Sequence, residues 1–99
     1  MDLETKLEKV RTTEQNFSNL IADIIRIDSD CDCSLINCGT FRSDCVFPSG
    51  VLTLYDVMLA FPWEDLIFKV EIPGKFLWKA LECSVEVYPP QDGRFLAVY

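Results

Sequence analysis

The stretch Leu35–Asp44 carries the side chains best suited to ligand chemistry. Its sequence, LINCGTFRSD, is an apolar run that stops at a polar turn with a glycine, the amide of Asn37 and the guanidinium of Arg42. A strand that ends this way presents recognition groups to a ligand at its end, and arginine suits bidentate contact with phosphate. We predict a ligand-binding turn. Taken singly, Arg42 also fits a surface arginine paired with Asp44, and Asn37 a turn cap.

Composition limits the class of ligand. The 99 residues suffice for one domain, and 49% of them are hydrophobic, which favours a packed core. The formal charge is −7, with the basic residues scattered along the chain, so we expect no nucleic-acid partner. A small anionic ligand remains compatible with this charge, because two well-placed arginines act at short range.

The chain lacks the usual catalytic and metal-binding side chains. It has no histidine, the commonest general base and zinc ligand. The alternating aspartates of Asp28–Asp32 do not continue as a calcium loop, because Cys33 and Gly39 occupy the sixth and twelfth positions. We predict no catalytic residue, no metal site and reduced thiols, with one disulfide, for instance through Cys33 or Cys45, as the alternative in an extracellular protein. The cysteines, odd in number and without paired C-x-x-C spacing, are Cys31, Cys33, Cys38, Cys45 and Cys83.

The ends and apolar runs of the chain bear on its compartment. The charged segment at residues 1–6 lacks the apolar run of a signal peptide, and no stretch reaches the roughly 20 apolar residues of a membrane span. We therefore expect a soluble chain without membrane contact. The odd number of cysteines favours an intracellular location, but the sequence does not determine the compartment.

Periodicity predicts three helices. The first runs from about 14 to 27, capped by Thr12 or Thr13 with Gln15. The second begins at a capping box of Thr53 with Asp56 and ends before Pro62, and the third spans residues 75–87. The apolar stripes expected to be buried are Phe17, Leu20, Ile21, Ile24 and Ile25 in the first, Leu54, Val57, Met58 and Phe61 in the second, and Phe76, Leu77, Ala80, Leu81, Ser84 and Val85 in the third.

Short strands are predicted between these helices. They are a buried strand at 34–37, a brief one at 51–53, an alternating one at Leu66–Ile72 and a last one at Arg94–Tyr99. Residues 1–12 fit a helix, a frayed lead-in or a short strand. Helices interspersed with strands, without a βαβ rhythm, predict an α+β domain with a mixed sheet.

The last strand, Arg94–Tyr99, bears on association. It stops in an apolar run without a polar closing segment and so looks truncated. Because an unpaired apolar edge pairs readily with another chain, we expect homodimerisation or strand exchange through this strand.

Four ordered segments resemble one protein family. Val10–Asp23 resembles VRTxExxLGNLIAD, and Leu35–Asp44 resembles LxNxGGIRxD. Gly50–Trp63 resembles GxITYGDVYxVLPF, and Phe68–Val85 with Gly93–Leu96 resembles VxxTGxxLKxALExSV and GRFLQV. The chain thus resembles roughly the first half of the C-terminal, substrate-recognising domain of the 5'-nucleotidase family.

This resemblance implies a substrate-binding set. Arg11, Asn37 and Arg42 stand where the family contacts the phosphate and sugar side of the substrate, and Trp63 stands where an aromatic ring stacks on the base. Gly39, within the same turn as Asn37 and Arg42, completes the predicted set. The ligand implied is a nucleotide or nucleoside.

The chain departs from the family pattern within the predicted ligand-binding turn in Leu35–Asp44, called the recognition turn below, and near it. Ser18, Cys38 and Thr40 replace glycines, and Trp63 replaces the usual phenylalanine. The side chains of Cys38 and Thr40 narrow the turn, where glycine would let the backbone approach a ligand most closely.

Two functions stay open. The first is the substrate-recognition part of a 5'-nucleotidase-like phosphoesterase, a relative of UDP-sugar hydrolases and cyclic-nucleotide phosphodiesterases. The resemblance implies two divalent metal ions in a metallophosphatase domain that this chain does not include, so we expect the chain alone to be inactive. The second is a degenerate, non-catalytic protein-interaction or dimerisation module on the same scaffold.

Overall fold

A computed structural model describes residues 1–99, with four α-helices, four short strands and one 3-10 turn. In chain order the elements are β1 (Leu3–Glu4), α1 (Leu7–Val10), α2 (Asn16–Asp28), β2 (Leu35–Asn37), the 3-10 turn (Cys38–Thr40), β3 (Val46–Phe47), α3 (Leu54–Ala60), α4 (Gly74–Ser84) and β4 (Leu96–Val98). The predicted α+β class with about three substantial helices is confirmed.

The strands form two separate antiparallel pairs rather than one mixed sheet. β1 pairs with β3, with Leu3 opposite Phe47. β2 pairs with β4, with Ile36 opposite Ala97. The prediction that β2 is buried was wrong, because Leu35 and Asn37 are exposed and a two-stranded pair covers little of its own surface.

The first twelve residues contain both elements that the sequence left open, a two-residue strand and a short helix. The Asp44 carboxylate accepts a hydrogen bond from the backbone N–H of Leu7 at 2.9 Å and so satisfies a donor at the start of α1. The buried Thr5 hydroxyl donates to the Cys45 carbonyl at 2.7 Å. The lead-in is therefore fixed against residues 44–45.

Helix α2 begins two residues later than predicted, and its capping box does not form. Gln15 occupies the N-cap without a side-chain hydrogen bond to the helix. The hydroxyls of Thr12 and Thr13 donate instead to backbone carbonyls of α1. The apolar stripe is buried only in part, because Phe17 is fully buried whereas Leu20 and Ile24 are exposed.

The core is built around four phenylalanine rings. Phe17 lies with its ring centroid 5.4 Å from that of Phe41 and 5.9 Å from that of Phe47. Phe61, just after α3, lies 5.3 Å from Phe41 and 6.1 Å from Phe17. Spacings of this size are the favoured edge and offset arrangements of aromatic pairs. This cluster holds α2, the recognition turn and the end of α3 together.

The strands predicted at 51–53 and 66–72 were wrong, since neither stretch has a strand partner. The alternation at Leu66–Ile72 describes a strand with one buried face, yet Leu66 is 78% exposed and Phe68 77%. A strand needs a neighbour for its backbone as well as an alternating sequence.

The capping box at the start of α3 is confirmed: the Thr53 side chain accepts from the Asp56 N–H, and the Asp56 side chain accepts from the Thr53 N–H. The buried face predicted for α3 was wrong, because Leu54, Val57 and Met58 are exposed. The face predicted for α4 is confirmed only in part, because Ser84 is buried and Leu77, Ala80 and Leu81 are half-buried, whereas Phe76 and Val85 are exposed. Ala60 is the only buried residue of α3 and Ser84 the only one of α4, and α4 ends at Ser84 rather than at 87.

The solvent-exposed area of the chain is large because the helices and loops beyond residue 50 are little covered. It amounts to 6941 Å², whereas a folded monomer of 11.3 kDa exposes roughly 5,700 Å². The packed core thus lies mainly between residues 3 and 61, and much of the apolar surface beyond residue 50 faces solvent.

Candidate functional site

The recognition turn is held in place by backbone hydrogen bonds to the segment before β4. The Cys38 N–H donates to the Phe95 carbonyl at 2.7 Å, and the Gly39 N–H donates to the Gly93 carbonyl at 2.9 Å. Strand β2 therefore ends against Gly93–Phe95, and the 3-10 turn begins at this edge.

Gly39 is packed directly against another glycine. A Cβ atom on Gly39 would lie 2.8 Å from both the Cα and the carbonyl oxygen of Gly93. Cβ atoms in proteins essentially never come this close to another heavy atom. The absence of a side chain at Gly39 is therefore needed for contact with the Gly93 backbone. Its predicted role in binding substrate stays a prediction.

Asn37 is exposed at the end of β2. It occupies the N-cap of the 3-10 turn, but its side chain makes no capping hydrogen bond. The simple interpretation of Asn37 as a turn cap therefore does not describe this structure. Its amide, which has two N–H donors and one carbonyl acceptor, is available to a ligand.

Arg42 and Trp63 meet at the end of α3. The Arg42 N–H donates to the Ala60 carbonyl at 3.0 Å, which fixes the turn to the helix end. The Arg42 guanidinium carbon lies 5.7 Å from the centroid of the Trp63 ring system, within the range of a cation–π interaction. Arg42 does not pair with Asp44, whose carboxylate is engaged with α1.

Arg11 follows α1 and is half-buried. Its Nε is enclosed and has no hydrogen-bond partner. The positive charge of Arg11 is close enough to Cys38 and Asp92 to lower the pKa of both groups. Burial outweighs this effect at Cys38 and raises the pKa of its thiol to about 11, so the thiol is neutral and a poor nucleophile at neutral pH.

The four arginines fall into two classes. Arg26 pairs with Asp23 at 2.8 Å, and Arg94 pairs with Glu86 at 2.8 Å and with Asp92 at 3.2 Å. The hydrogen bonds from Arg94 also lower the pKa of Asp92. Arg11 and Arg42 have no carboxylate partner. Arg11 and Arg42, which the family resemblance assigned to the substrate, are thus the two arginines without an ion pair to a carboxylate.

The structure brings together part of the predicted set. Arg42 and Trp63 are in contact, and Asn37 and Gly39 are close neighbours in the same turn. Arg11 lies near Cys38, but no hydrogen bond joins it to the Arg42–Trp63 pair. The Arg42–Trp63 pair is thus the one direct side-chain contact within the predicted set, and Arg11 is connected to the turn through its charge near Cys38.

A groove lies apart from these residues, and no sequence motif predicted it. It has a volume of about 610 Å³ and is lined by the end of α2, the loop at residues 29–34 and the segment at 67–72. Lys69 connects the two sides of the groove by hydrogen bonds. The Lys69 Nζ donates to the carbonyls of Ser29 at 2.8 Å and Asp30 at 2.7 Å. A cation is favourable there, at the C-terminal end of a helix.

The structure has neither a membrane-spanning helix nor a cluster of metal ligands. No helix has the length and apolar character needed to cross a membrane. No group of three or more His, Cys, Asp or Glu side chains is arranged to hold a metal ion.

Comparison with known proteins places the chain in a family. The family model described as "5'-nucleotidase, C-terminal domain" matches residues 2–99, essentially the whole chain. Searches of curated proteins and of solved structures returned no match. In this family the C-terminal domain forms the substrate-binding part, and the catalytic metals belong to the catalytic domain. The chain belongs to the 5'-nucleotidase C-terminal domain family.

Proposed function

We propose that this chain supplies the nucleotide-recognition groups of a 5'-nucleotidase-type phosphoesterase and performs no hydrolysis by itself. The observation that carries the proposal is the contact between Arg42 and Trp63. A nucleotide combines an anionic phosphate with a flat base, and this pair offers a cation without a carboxylate partner beside an exposed aromatic ring. Family membership supports a nucleotide as the ligand.

Each predicted residue has a defined role in this proposal. Arg42 donates two parallel N–H bonds to phosphate oxygens, and Trp63 stacks on the base. Asn37 hydrogen-bonds the sugar, while Arg11 adds positive charge near Cys38. Gly39 lets the turn lie against Gly93 and so keeps Asn37 and Arg42 in position.

Hydrolysis needs groups that residues 1–99 do not provide. In the family, two divalent metal ions in a metallophosphatase domain supply the activated water. We therefore expect no phosphate release from AMP by the 99-residue chain with added divalent metal ions. Release that depends on the metal would overturn this part of the proposal.

The binding test uses Trp63 as its own probe. Trp78 lies exposed on α4, so a Trp78→Phe variant leaves Trp63 as the sole tryptophan. Ligand that displaces the Arg42 guanidinium from the indole ring will change Trp63 emission. We expect a saturable change with AMP, a weaker one with adenosine, and a response to UDP-glucose if uridine nucleotides also fit.

The matched variants are Arg42→Ala and Arg26→Ala. Arg42→Ala removes the proposed phosphate contact, and we expect the AMP affinity to fall about tenfold or more, since a charged hydrogen bond contributes about 1.5–3 kcal/mol. Arg26→Ala removes an arginine that is paired with Asp23, and AMP affinity should not change. Equal responses of both variants, or no response to any ligand, would contradict nucleotide recognition.

A second candidate is a non-catalytic interaction module. The observation that favours it is the uncovered apolar surface beyond residue 50. The outer edge of β4 is one surface for self-association, as the sequence predicted, because β4 pairs with β2 on one side only. Absence of any nucleotide response together with self-association of the chain would favour this module.

A further inference from the structure

Residues 62–72 leave their backbone entirely unpaired. None of their N–H or carbonyl groups takes part in a backbone hydrogen bond. Yet Leu66–Ile72 has the alternation of a strand, with Phe68, Val70 and Ile72 on one side of the pattern and Ile67, Lys69 and Glu71 on the other. Phe68 is 77% exposed and Val70 68%. The segment therefore combines a strand sequence with unused backbone donors and acceptors.

We propose that Phe68–Ile72 binds the same five residues of a second copy of this chain, as a pair of antiparallel strands with Val70 opposite Val70. This register is self-complementary. It places Lys69 opposite Glu71 of the second copy twice, and Phe68 opposite Ile72 twice. Opposite charges and apolar pairs that face each other directly stabilise antiparallel strands.

Neighbouring registers are less favourable for a physical reason. A centre at Lys69 places two lysines opposite each other, and a centre at Glu71 places two glutamates opposite each other. Like charges that face directly are destabilising. A centre between two residues places Val70 opposite a charged side chain and mixes the apolar and polar faces. The charges of the segment therefore select the register centred on Val70.

Lys69 can serve both its own chain and the second copy. An ammonium group has three N–H donors, and Lys69 uses two of them on the carbonyls of Ser29 and Asp30. The third donor is left for Glu71 of the second copy. These contacts also hold the segment beside the end of α2, so part of the entropy cost of ordering it is already met before pairing.

The excess exposed area of the chain is large enough for an interface with a second copy. The chain exposes about 1,200 Å² more than a folded monomer of its mass does. A standard protein interface buries about 800 Å² on each partner. Pairing of the two segments, with the adjoining apolar surface of the second half, accounts for an excess of this magnitude.

The test is analytical ultracentrifugation of the 99-residue chain from low to high micromolar concentration. We expect a monomer–dimer equilibrium. Lys69→Glu and Glu71→Lys should each weaken the dimer about tenfold, because each replaces two opposite-charge pairs by two like-charge pairs. The double variant Lys69→Glu/Glu71→Lys should dimerise more strongly than Lys69→Glu, since it restores both charge pairs in reverse although it still lacks the contacts of Lys69 with Ser29 and Asp30. Circular dichroism verifies that each variant keeps its helices.

The control is Lys79→Glu, which makes the same change of charge on the exposed side of α4 and should leave the dimer unchanged. Hydrogen exchange provides a second measurement: amides of residues 68–72 should gain protection as the concentration rises. A chain that stays monomeric throughout, or a double variant that dimerises as weakly as Lys69→Glu, overturns the proposal. A dimer whose segment gains no protection also overturns it and points to the outer edge of β4.

Discussion

The guanidinium of Arg42 lies over the indole ring of Trp63, 5.7 Å from its centroid. These two residues are 21 positions apart in sequence, and the aromatic core beneath them brings them together through Phe41 and Phe61. Without ligand, each covers the surface that the proposed nucleotide would use. Binding would therefore exchange a cation–π contact for a phosphate contact and a base stack.

Replacing Arg42 by lysine separates charge from geometry. Lysine keeps the positive charge but lacks the planar fork that contacts two phosphate oxygens at once. We expect Arg42→Lys to bind AMP about three- to tenfold more weakly than the parent chain and to bind adenosine equally well. Fluorescence titration in the Trp78→Phe background measures both. A loss of adenosine affinity equal to that of AMP would indicate damage to the turn instead.

Gly39 and Gly93 allow a sharp test of turn packing. Gly39→Ala would place a Cβ 2.8 Å from the Gly93 backbone, and the required shift should cost about 1–3 kcal/mol of unfolding free energy. Gly74→Ala is the matched control, because a Cβ there meets nothing within 4 Å and alanine favours a helix. Urea unfolding of both variants is the measurement. Equal stabilities would show that the two glycine backbones do not touch.

The capping box of α3 is expected to depend on pH. Hydrogen bonds from the Thr53 side chain and backbone lower the pKa of Asp56 below its ordinary value of 3.8. The contribution of this carboxylate is therefore present above pH 3.8 and is lost as the pH falls through the lowered pKa. Thr53→Ala should weaken α3 locally by about 1 kcal/mol. Cα chemical shifts of residues 54–57 report both effects, with Thr13→Ala as control, because the Thr13 hydroxyl bonds to Lys9 of α1 and not to α3.

Local signals in the sequence were sufficient for the elements that local interactions stabilise. The α3 capping box involves residues three apart, and the three substantial helices follow from their periodicity. The capping box predicted for α2 was wrong, because the carbonyls of α1 compete for the hydroxyls of Thr12 and Thr13. No spacing within residues 12–15 reveals such a competitor.

Signals that depend on a distant neighbour were insufficient. The alternation at Leu66–Ile72 predicted a strand, but a strand requires a second one, and none of residues 1–99 pairs with it. The contacts of Lys69 with Ser29 and Asp30 span about 40 positions and have no sequence pattern. For the candidate site, the family motif named Arg42 and Trp63, while their contact and the packing of Gly39 on Gly93 needed the fold.

Phe41 is the residue on which the core depends most. Its ring is fully buried and contacts both Phe17 and Phe61. Phe41→Ala should cost about 3–5 kcal/mol, enough to unfold much of a domain with so small a core. Phe76→Ala truncates a ring that is 49% exposed and should change stability by less than about 1 kcal/mol. Thermal unfolding followed by circular dichroism distinguishes them, and similar melting temperatures would refute this assignment of the core.

Cys38 predicts a loss of stability at alkaline pH. Burial raises the pKa of its thiol from 9.0 to about 11 in the folded chain, against the opposing effects of the Ala97 backbone and the Arg11 charge. Between these values the unfolded chain releases the proton while the folded chain retains it. The stabilising contribution is thus fully present below pH 9 and declines as the pH rises toward 11, by roughly 2 kcal/mol at pH 10.5. Urea unfolding between pH 8 and about 10.5 measures this decline, and Cys38→Ala corrects for tyrosine and lysine titration. If both chains lose the same stability over this range, the thiol of Cys38 does not retain its proton in the fold.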